Sequence, residues 1–316
     1  MVKSFNDIIS MAKKESTKKM TVAVANDTVI LKGISEAREL GLIEPILIGD
    51  EGDIKDIIDS LCLDLKNVQL IHEPDNERAA YKAIEMALTG EADIIMKGKM
   101  NTPQFMKVVL DKRMELRTER LISNVCLLDG PKYNRVLFLT DVVVNIAPDL
   151  EQKVEILENA IELTQALGIE IPKVAVLSAI ELVTSDMPST IDAACLVKMS
   201  QRGQIKAIVD GPFALDNVFS SESAEIKGIK SPVIEDVDIL LAPNIDAANL
   251  LYKSMVQFGD FKGTGVFLGT KIPTVQTPRE CPVEAKLVSI ATTLLMLKKR
   301  KRTKEIKVKD KILKLA

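Results

Sequence analysis

Short apolar runs alternate with segments of helical period along the whole of this chain. MTVAVA, EPILIG, NVQLIH, ADIIMKG, ISNVCLL and RVLFLTD are stretches rich in Val, Ile and Leu, bounded by turn residues, and they predict strands. Between them, VILKGISEARELG, IKDIIDSL and NERAAYKAIEMALTG repeat apolar residues every three or four positions and predict amphipathic helices. EARELG and EMALTG close on the glycine expected just past a helix C-terminus. Strands that are apolar on both faces usually lie in a parallel sheet covered on both sides.

The second half repeats the alternation with its own strands. A long helical pattern, PDLEQKVEILENAIELTQALG, is followed by KVAVLSA, MPSTIDAACLVKMSQRG, KAIVDGP, VDILLAP, IDAANLLYKSMVQFG and GVFLG. The last apolar run, IPTVQ, passes through TPRECP into a final helix. No internal repeat and no Ser/Gly linker interrupts the chain. The prediction is an α/β protein of two tightly packed lobes with a cleft between them.

Composition alters this picture little. The 316 residues are 47% hydrophobic and 28% charged, ordinary for a globular protein. Aromatics are 3% and Trp is absent, which argues against a base-stacking surface for single-stranded nucleic acid. No apolar segment has the length of a bilayer span, and MVKSFNDIISMAKKES has no signal-peptide core, so no membrane is expected. Cys62, Cys126, Cys195 and Cys281 are dispersed without a CxxC pair. They indicate neither a zinc site nor a disulfide framework, and a reducing cytoplasm is the expected location.

Charge is unevenly spread. The tail from Lys298, KKRKRTKEIKVKDKILKLA, holds ten Lys and Arg against Glu305 and Asp310, a local +8. The formal net charge is −3, so the remainder carries −11. The tail reads as a solvated helical or frayed extension, or as a basic arm for an anionic partner. An acidic body makes nucleic-acid binding an unexpected main activity.

The chemistry gathers where strands end. In open α/β sheets ligands bind beyond the carboxyl ends of strands. ADIIMKG opens into KMNTP, with Lys97, Asn101 and Thr102; LFLTD ends on Thr140 and Asp141, with Asn145 nearby. KAIVDGP ends on Asp210, Gly211 and Pro212, and DILLAPN on Pro243 and Asn244. The final strand runs into the Thr277–Arg279 turn at the start of a helix, where backbone N–H groups and a cation describe an anion site. Each loop also has a plainer reading, because Asp-Gly-Pro is a turn signal and Asn before a helix is a cap.

Familiar catalytic signatures are missing. There is no GxxxxGK[ST] phosphate loop, and GTGVFLG spaces its glycines one residue too far for a dinucleotide fingerprint. His72 is the one histidine, set in a turn-like LIHEPDN, which leaves little room for Ser-His or Cys-His catalysis. No clustered carboxylates suggest a metal. What remains is Lys, Arg, Asn, Thr and backbone amides, which hold phosphates and stabilise developing negative charge.

Several collinear stretches carry a resemblance: SFNDII, ADIIMKGKMNT, LRT at Leu116–Thr118, LFLTDV, MPSTIDAA, KMSQRGQIK, DGPFALDN, APNIDAANLLYK and EAKLVSIA. They span nearly the whole chain except the basic tail. The chain resembles the phosphate acetyl/butyryltransferase family, most of all its butyryl branch. The resemblance implies transfer of an acyl group from acyl-CoA to inorganic phosphate, giving acyl phosphate and CoA. Butyryl or another short or branched acyl group is expected, with direct attack and neither a metal nor a covalent intermediate. Coenzyme A then enters as substrate or product, and no cofactor is bound permanently.

The resemblance also implies a two-lobe fold like that of the isocitrate and isopropylmalate dehydrogenases, with the active-site cleft between the lobes. Residues 1–140 and 266–297 would form the first lobe, 141–265 the second, and 298–316 a basic tail. Arg279 and Thr277 are the expected catalytic residues. Lys97, Asn101, Thr102, Lys107, Arg117, Ser123, Asp210, Gly211, Pro243 and Asn244 are expected toward substrate and phosphate. Arg279, Cys281 and Lys286 are expected toward the coenzyme. A homodimer or higher homo-oligomer is expected.

The turn departs from the family pattern. Where relatives commonly read Ser-Arg, this chain has Pro278-Arg279, and Thr277 one residue earlier can supply the hydroxyl. An Asp common in the acetyl enzymes is Ala285, an Arg of the first-lobe helix is Lys107, and a Ser-His pair is Ser123-Asn124. Cys281 reads either as a thiol activated by the helix N-terminus or as a packed, inert one. The competing reading is a divergent relative that binds CoA esters or acyl phosphate with little turnover. A dehydrogenase of the same architecture would need acidic metal ligands and a nicotinamide site, and neither pattern is present.

Overall fold

The computed structural model describes residues 2–65, 67–277 and 281–313, with side chains described through residue 300. The chain divides into two compact units. A terminal unit comprises Asn6–Thr118 and Thr270–Ala316, and a central unit comprises Met1–Phe5 and Glu119–Gly269.

The chain begins with α1 (Phe5–Ala12), β1 (Lys18–Ala23), α2 (Thr28–Glu39), β2 (Ile43–Gly49), α3 (Glu51–Ser60), β3 (Gln69–His72), α4 (Asn76–Leu88), β4 (Ile94–Lys97) and α5 (Thr102–Val109). The central unit holds β5 (Ser123–Asp129), β6 (Leu137–Thr140), α6 (Leu150–Ala166), β7 (Lys173–Leu177), α7 (Pro188–Gln201) and β8 (Ile208–Phe213). It continues through α8 (Leu215–Phe219), α9 (Ser221–Ile226), β9 (Ile239–Leu241), α10 (Ile245–Phe258) and β10 (Lys262–Leu268). The terminal unit is then completed by β11 (Thr274–Gln276) and α11 (Val283–Leu313).

In the terminal unit the strand order is β3-β2-β1-β4-β11, and every pairing is parallel. Strand direction is set by the helices between strands, which return the chain to the same edge each time. Asp27, Asp50 and Asp75 start α2, α3 and α4 by accepting backbone N–H groups of the first turn. β1, β2 and β4 are largely buried on both faces, whereas the edge strand β3 is partly exposed. α11 is buried on every side from Ala285 to Met296.

The central unit is mixed. Its order is β10-β5-β6-β9-β7-β8, with β10/β5 and β5/β6 antiparallel and the other pairings parallel. The apolar runs of β5 and β6 suggested a parallel sheet, and the reason they pair antiparallel is length. Only seven residues join β5 to β6, too few for a crossover helix. Its core gathers Leu128, Leu137, Leu139, Ala175, Phe213, Val233 and Leu240 beneath α10.

The units meet along the sequence at Thr118/Glu119 and Gly269/Thr270, where the sequence reading had 140/141 and 265/266. The difference comes from β5 and β6, which pair with β10 and β9 instead of extending the first four strands. α11 continues through residue 298, where Lys298 Nζ lies 2.5 Å from Glu15 Oε1 and Arg300 donates to the Thr270 carbonyl at 2.8 Å.

Candidate functional site

In the terminal unit β1 sits between β2 on one side and β4 on the other, so the strand order reverses there. The carboxyl ends at such a reversal are where an open α/β sheet binds ligands. Two local features shape that edge. Val24, just past β1, adopts a left-handed backbone with φ 59°. Gly98, just past β4, lies directly on that turn: a Cβ there would sit 2.2 Å from the Val24 carbonyl oxygen. Gly98 N–H donates to Ala23 O at 2.8 Å and Lys99 N–H to Val24 O at 2.7 Å.

Lys97 ends β4 and is 3% exposed, with Nζ donating to the Met100 carbonyl at 3.0 Å. A lysine is almost never buried without partners, and the loop wraps its carbonyl back over the amino group. Asn101 caps α5, its Oδ1 accepting the Gln104 N–H at 2.8 Å, and Thr102 opens that helix. β11 lies beside β4, with Val275 opposite Met96. The ends of the two strands therefore emerge next to each other, bringing Gln276 and Thr277 alongside Lys97. Thr277 is buried. Pro278 and Arg279 lie outside the described residues.

The chain is described again at Cys281, which is buried and stands two residues ahead of Val283, before the helix and not within its first turn. Lys286 is 1% exposed and directs Nζ to Cys281 Sγ at 3.2 Å. Two further residues expected at the site are exposed. Lys107 is exposed and pairs with both carboxylate oxygens of Glu77 at 3.1 Å. Arg117 is exposed, its backbone bridged to Thr270.

The central unit carries the remaining candidates at one sheet edge, formed by the carboxyl ends of β6, β7, β8 and β9 and the start of antiparallel β5. Ser123 begins β5, buried, and its Oγ accepts from Asn159 Nδ2 at 3.0 Å. Asn159 also donates to the Leu121 carbonyl at 2.9 Å, while its buried Oδ1 has no partner among the described residues. Asn124 is a fold residue, donating to Val266 O at 3.1 Å. Asn244 caps α10 through the Ala247 N–H at 2.9 Å, and Pro243 beside it is half-buried.

Asp210 and Gly211 were expected in a loop and instead lie inside β8. The strand continues because its pairing with β7 shifts register between Ala175 and Leu177, and Gly211 has no side chain to meet Val176 O, which a Cβ would approach to 2.7 Å. Asp141 follows β6 and is nearly buried. Burial pushes its carboxyl above the usual carboxylate range, against the pull of N–H groups from Val143, Val144 and Asn145. Its amide donors make it a loop organiser.

Sequence reasoning missed three residues of this arrangement. Asn159 was legible only as a polar residue in an apolar helix pattern, in step with Glu155 and Glu162, which hold Leu121 N–H and Arg120. Gly98 and Gly33 gave no signal, because their fit depends on partners far along the chain: the stem of Lys286 packs on Gly33 of α2, where a Cβ would stand 3.3 Å from Lys286 Cβ and Cδ. Among the described residues no group of His, Cys, Asp and Glu could hold a metal ion, and no helix is long and apolar enough to cross a membrane.

Comparison with solved structures places the architecture first. A branched-chain phosphotransacylase from Enterococcus faecalis V583 superposes with a TM-score of 0.76 at 31% identity, covering 88% of this chain and 98% of that one. A 4-hydroxythreonine-4-phosphate dehydrogenase from Klebsiella pneumoniae shares the fold alone, with a TM-score of 0.55 at 12% identity, over 89% of this chain and all of that one. A phosphate butyryltransferase from Clostridium acetobutylicum is 43% identical over 94% of this chain and 99% of its own length. Residues 72–294 match the model of the phosphate acetyl/butaryl transferase family, and the chain belongs to that family.

Proposed function

We propose that this protein is a phosphate acyltransferase that converts a short or branched acyl-CoA and inorganic phosphate into acyl phosphate and CoA. Butyryl is the first substrate to test. A phosphate oxygen attacks the thioester carbonyl carbon, the carbon–sulfur bond breaks, and CoA leaves as a thiolate. Such a site must hold a dianion, stabilise the oxyanion and receive the thiolate, all of which cations and N–H groups can do. CoA is a substrate in this reading and no permanent cofactor is invoked.

The observation that supports a location is the pair of buried lysines in the terminal unit, Lys97 at the end of β4 and Lys286 near the start of α11. The segment between the adjoining strand end and that helix contains Thr277 and Arg279 in sequence. In this reading Arg279 binds phosphate or the oxyanion, and Thr277 provides the hydroxyl that Pro278 lacks. The two-lobe partition and the kinship with isocitrate and isopropylmalate dehydrogenases belong to the same proposal, supported by the fold-level likeness to a dehydrogenase. So does a homo-oligomeric state.

Arg279→Ala tests the reading. One anchoring cation at a developing charge is worth about 3 kcal/mol, so CoA release from butyryl-CoA and phosphate is expected to fall about a hundredfold with little change in Tm. Unchanged turnover would remove the turn from the mechanism. An inactive wild-type chain that still binds CoA esters would favour the non-catalytic reading.

A further inference from the structure

Side chains meet on a helix when they are three or four residues apart. Cys281 and Lys286 are five apart, and they meet because only one of them is helical. Lys286 ends the first turn of α11, whereas Cys281 precedes the helix. The N–H groups of Ala285 and Lys286 both donate to the Pro282 carbonyl, at 3.1 and 3.3 Å, and close the chain on itself at the helix entry. Lys286 Nζ then stands 3.2 Å from Cys281 Sγ. Both residues are buried, Lys286 at 1% and Cys281 at 8% exposure. The lysine stem is backed by α2, where a Cβ on Gly33 would stand 3.3 Å from Lys286 Cβ and Cδ. The other cysteines are placed differently. Cys126 is fully buried, and desolvation pushes its thiol far above the usual range. Cys62 is exposed, with its sulfur near the Asp59 carbonyl. Cys281 is distinguished by an amino group against its sulfur.

We propose that Cys281 and Lys286 form a reversible oxidative cross-link that lowers turnover when hydrogen peroxide is present. The effect on turnover rests on the reading of this end of the terminal unit as the acyl-transfer site; the cross-link rests on the geometry alone. Peroxide first converts the Cys281 thiol to a sulfenic acid, with one peroxide oxygen kept on sulfur and the other leaving as water. Sulfur gives up two electrons in that step. A sulfenic sulfur is open to attack by a neighbouring nitrogen. The Lys286 nitrogen bonds to it, the sulfur–oxygen bond breaks, and the hydroxyl leaves as water with one proton of the ammonium. A second ammonium proton is released, and a sulfenamide remains. Two molecules of a small thiol reverse the bond, returning thiol and amine and leaving as one disulfide. Contact between the two groups favours this route over further oxidation, because the nitrogen is already in place. The sulfenamide nitrogen is uncharged, so the cation at Lys286 is lost while the bond lasts.

The test is a tryptic mass map of the full wild-type chain after hydrogen peroxide, with and without subsequent dithiothreitol. Cleavage after Lys286 should be lost, and the uncut peptide carrying Cys281 should weigh two hydrogens less than its reduced form. Dithiothreitol should restore both. CoA release from butyryl-CoA and phosphate should fall about tenfold or more as the cross-link forms, the scale for losing one cation at a developing charge, and should return with the thiol. Two variants, each compared with its own untreated sample, sharpen the result. Lys286→Met should carry Cys281 on to sulfinic acid, and Cys281→Ser should keep its own untreated rate through the same peroxide dose. Cys281 oxidised to sulfenic or sulfinic acid in the wild type, with Lys286 still cut, overturns the proposal. So does an unreacted Cys281 once the exposed Cys62 has oxidised. Full turnover with the cross-link complete overturns the switch. The mass readout does not depend on turnover, so a chain that forms the cross-link but never releases CoA sinks the acyltransferase reading and leaves the bond standing.

Discussion

Replacing Gly98 by alanine is the most direct probe of how the terminal unit holds its strand-end loops. The added Cβ would stand 2.2 Å from Val24 O, 2.3 Å from Ala23 O and 2.9 Å from Val24 C. All three are backbone atoms, and the two oxygens would have to retreat by about 0.7–0.8 Å to reach the closest approach that real Cβ atoms show. They are also the acceptors for Gly98 and Lys99 N–H. Overpacking costs about 1–3 kcal/mol, and weakening two hydrogen bonds worth about 1 kcal/mol each brings the loss to roughly 3 kcal/mol. At about 2–4 °C per kcal/mol, Tm should drop by roughly 6–12 °C. The displaced loop carries Lys97, Met100 and Asn101, so KM for phosphate or acyl-CoA should rise as well. Gly90→Ala is the control: its φ of 86° strains an alanine, but nothing lies within 4 Å of the new Cβ. It should lower Tm modestly and leave both KM values alone. Calorimetry with matched kinetics decides the matter, and a Gly98→Ala protein with unchanged Tm would refute the close-approach reasoning.

Two further outcomes follow from the central unit. Lys153 is buried on α6 and paired with Asp192 of α7 at 2.5 Å, so Asp192→Ala should cost about 3 kcal/mol by stranding a buried charge, whereas Lys153→Met with Asp192→Leu should restore most of it in urea unfolding. Asp141 has its carboxyl pKa raised by burial, so its share of stability is fully present below the unfolded value of about 3.9 and drains away as pH rises through the native one. The Tm of the wild type relative to Asp141→Asn should therefore decline as pH rises above about 4, and a flat difference would contradict the assigned shift.

Much of the secondary structure was legible because both units bury their strands on two faces. Runs such as IIM in ADIIMKG and VLFL in RVLFLTD stand out because their consecutive positions are apolar. The same property hid strand direction, since a strand buried on both sides reads alike whether its neighbour runs with it or against it. The signal lay in the connection instead: LLDGPKYNRVLF leaves room for a turn and not for a helix. SFNDII was legible as a family stretch but not as α1, whose eight residues are too few for a confident period.

At the site, Asn101 and Asn244 turned out to cap helices, the plainer of the two readings offered by their position. Lys286 could be picked from a motif, yet its burial depends on Gly33, and no window along the sequence joins those two positions. Lys107 kept the charge of its family counterpart but faces Glu77, a partner one helix away that spacing alone does not reveal.

The order in which the chain is made bears on β11. The central unit is almost continuous, needing only Met1–Phe5 from elsewhere, and those residues are synthesised before it. The terminal unit must wait. Its strand β4 pairs with β11, so Ile95 finds Thr274 only after the whole central unit has left the ribosome. At about 5–20 residues per second, the intervening stretch takes on the order of ten seconds or more to appear. Throughout that interval β4 offers an unpaired, apolar edge to other nascent chains. Premature stops beyond residue 269 should therefore yield a folded central unit joined to an aggregation-prone remnant, and the burden on chaperones should fall on the first part of the protein to be synthesised.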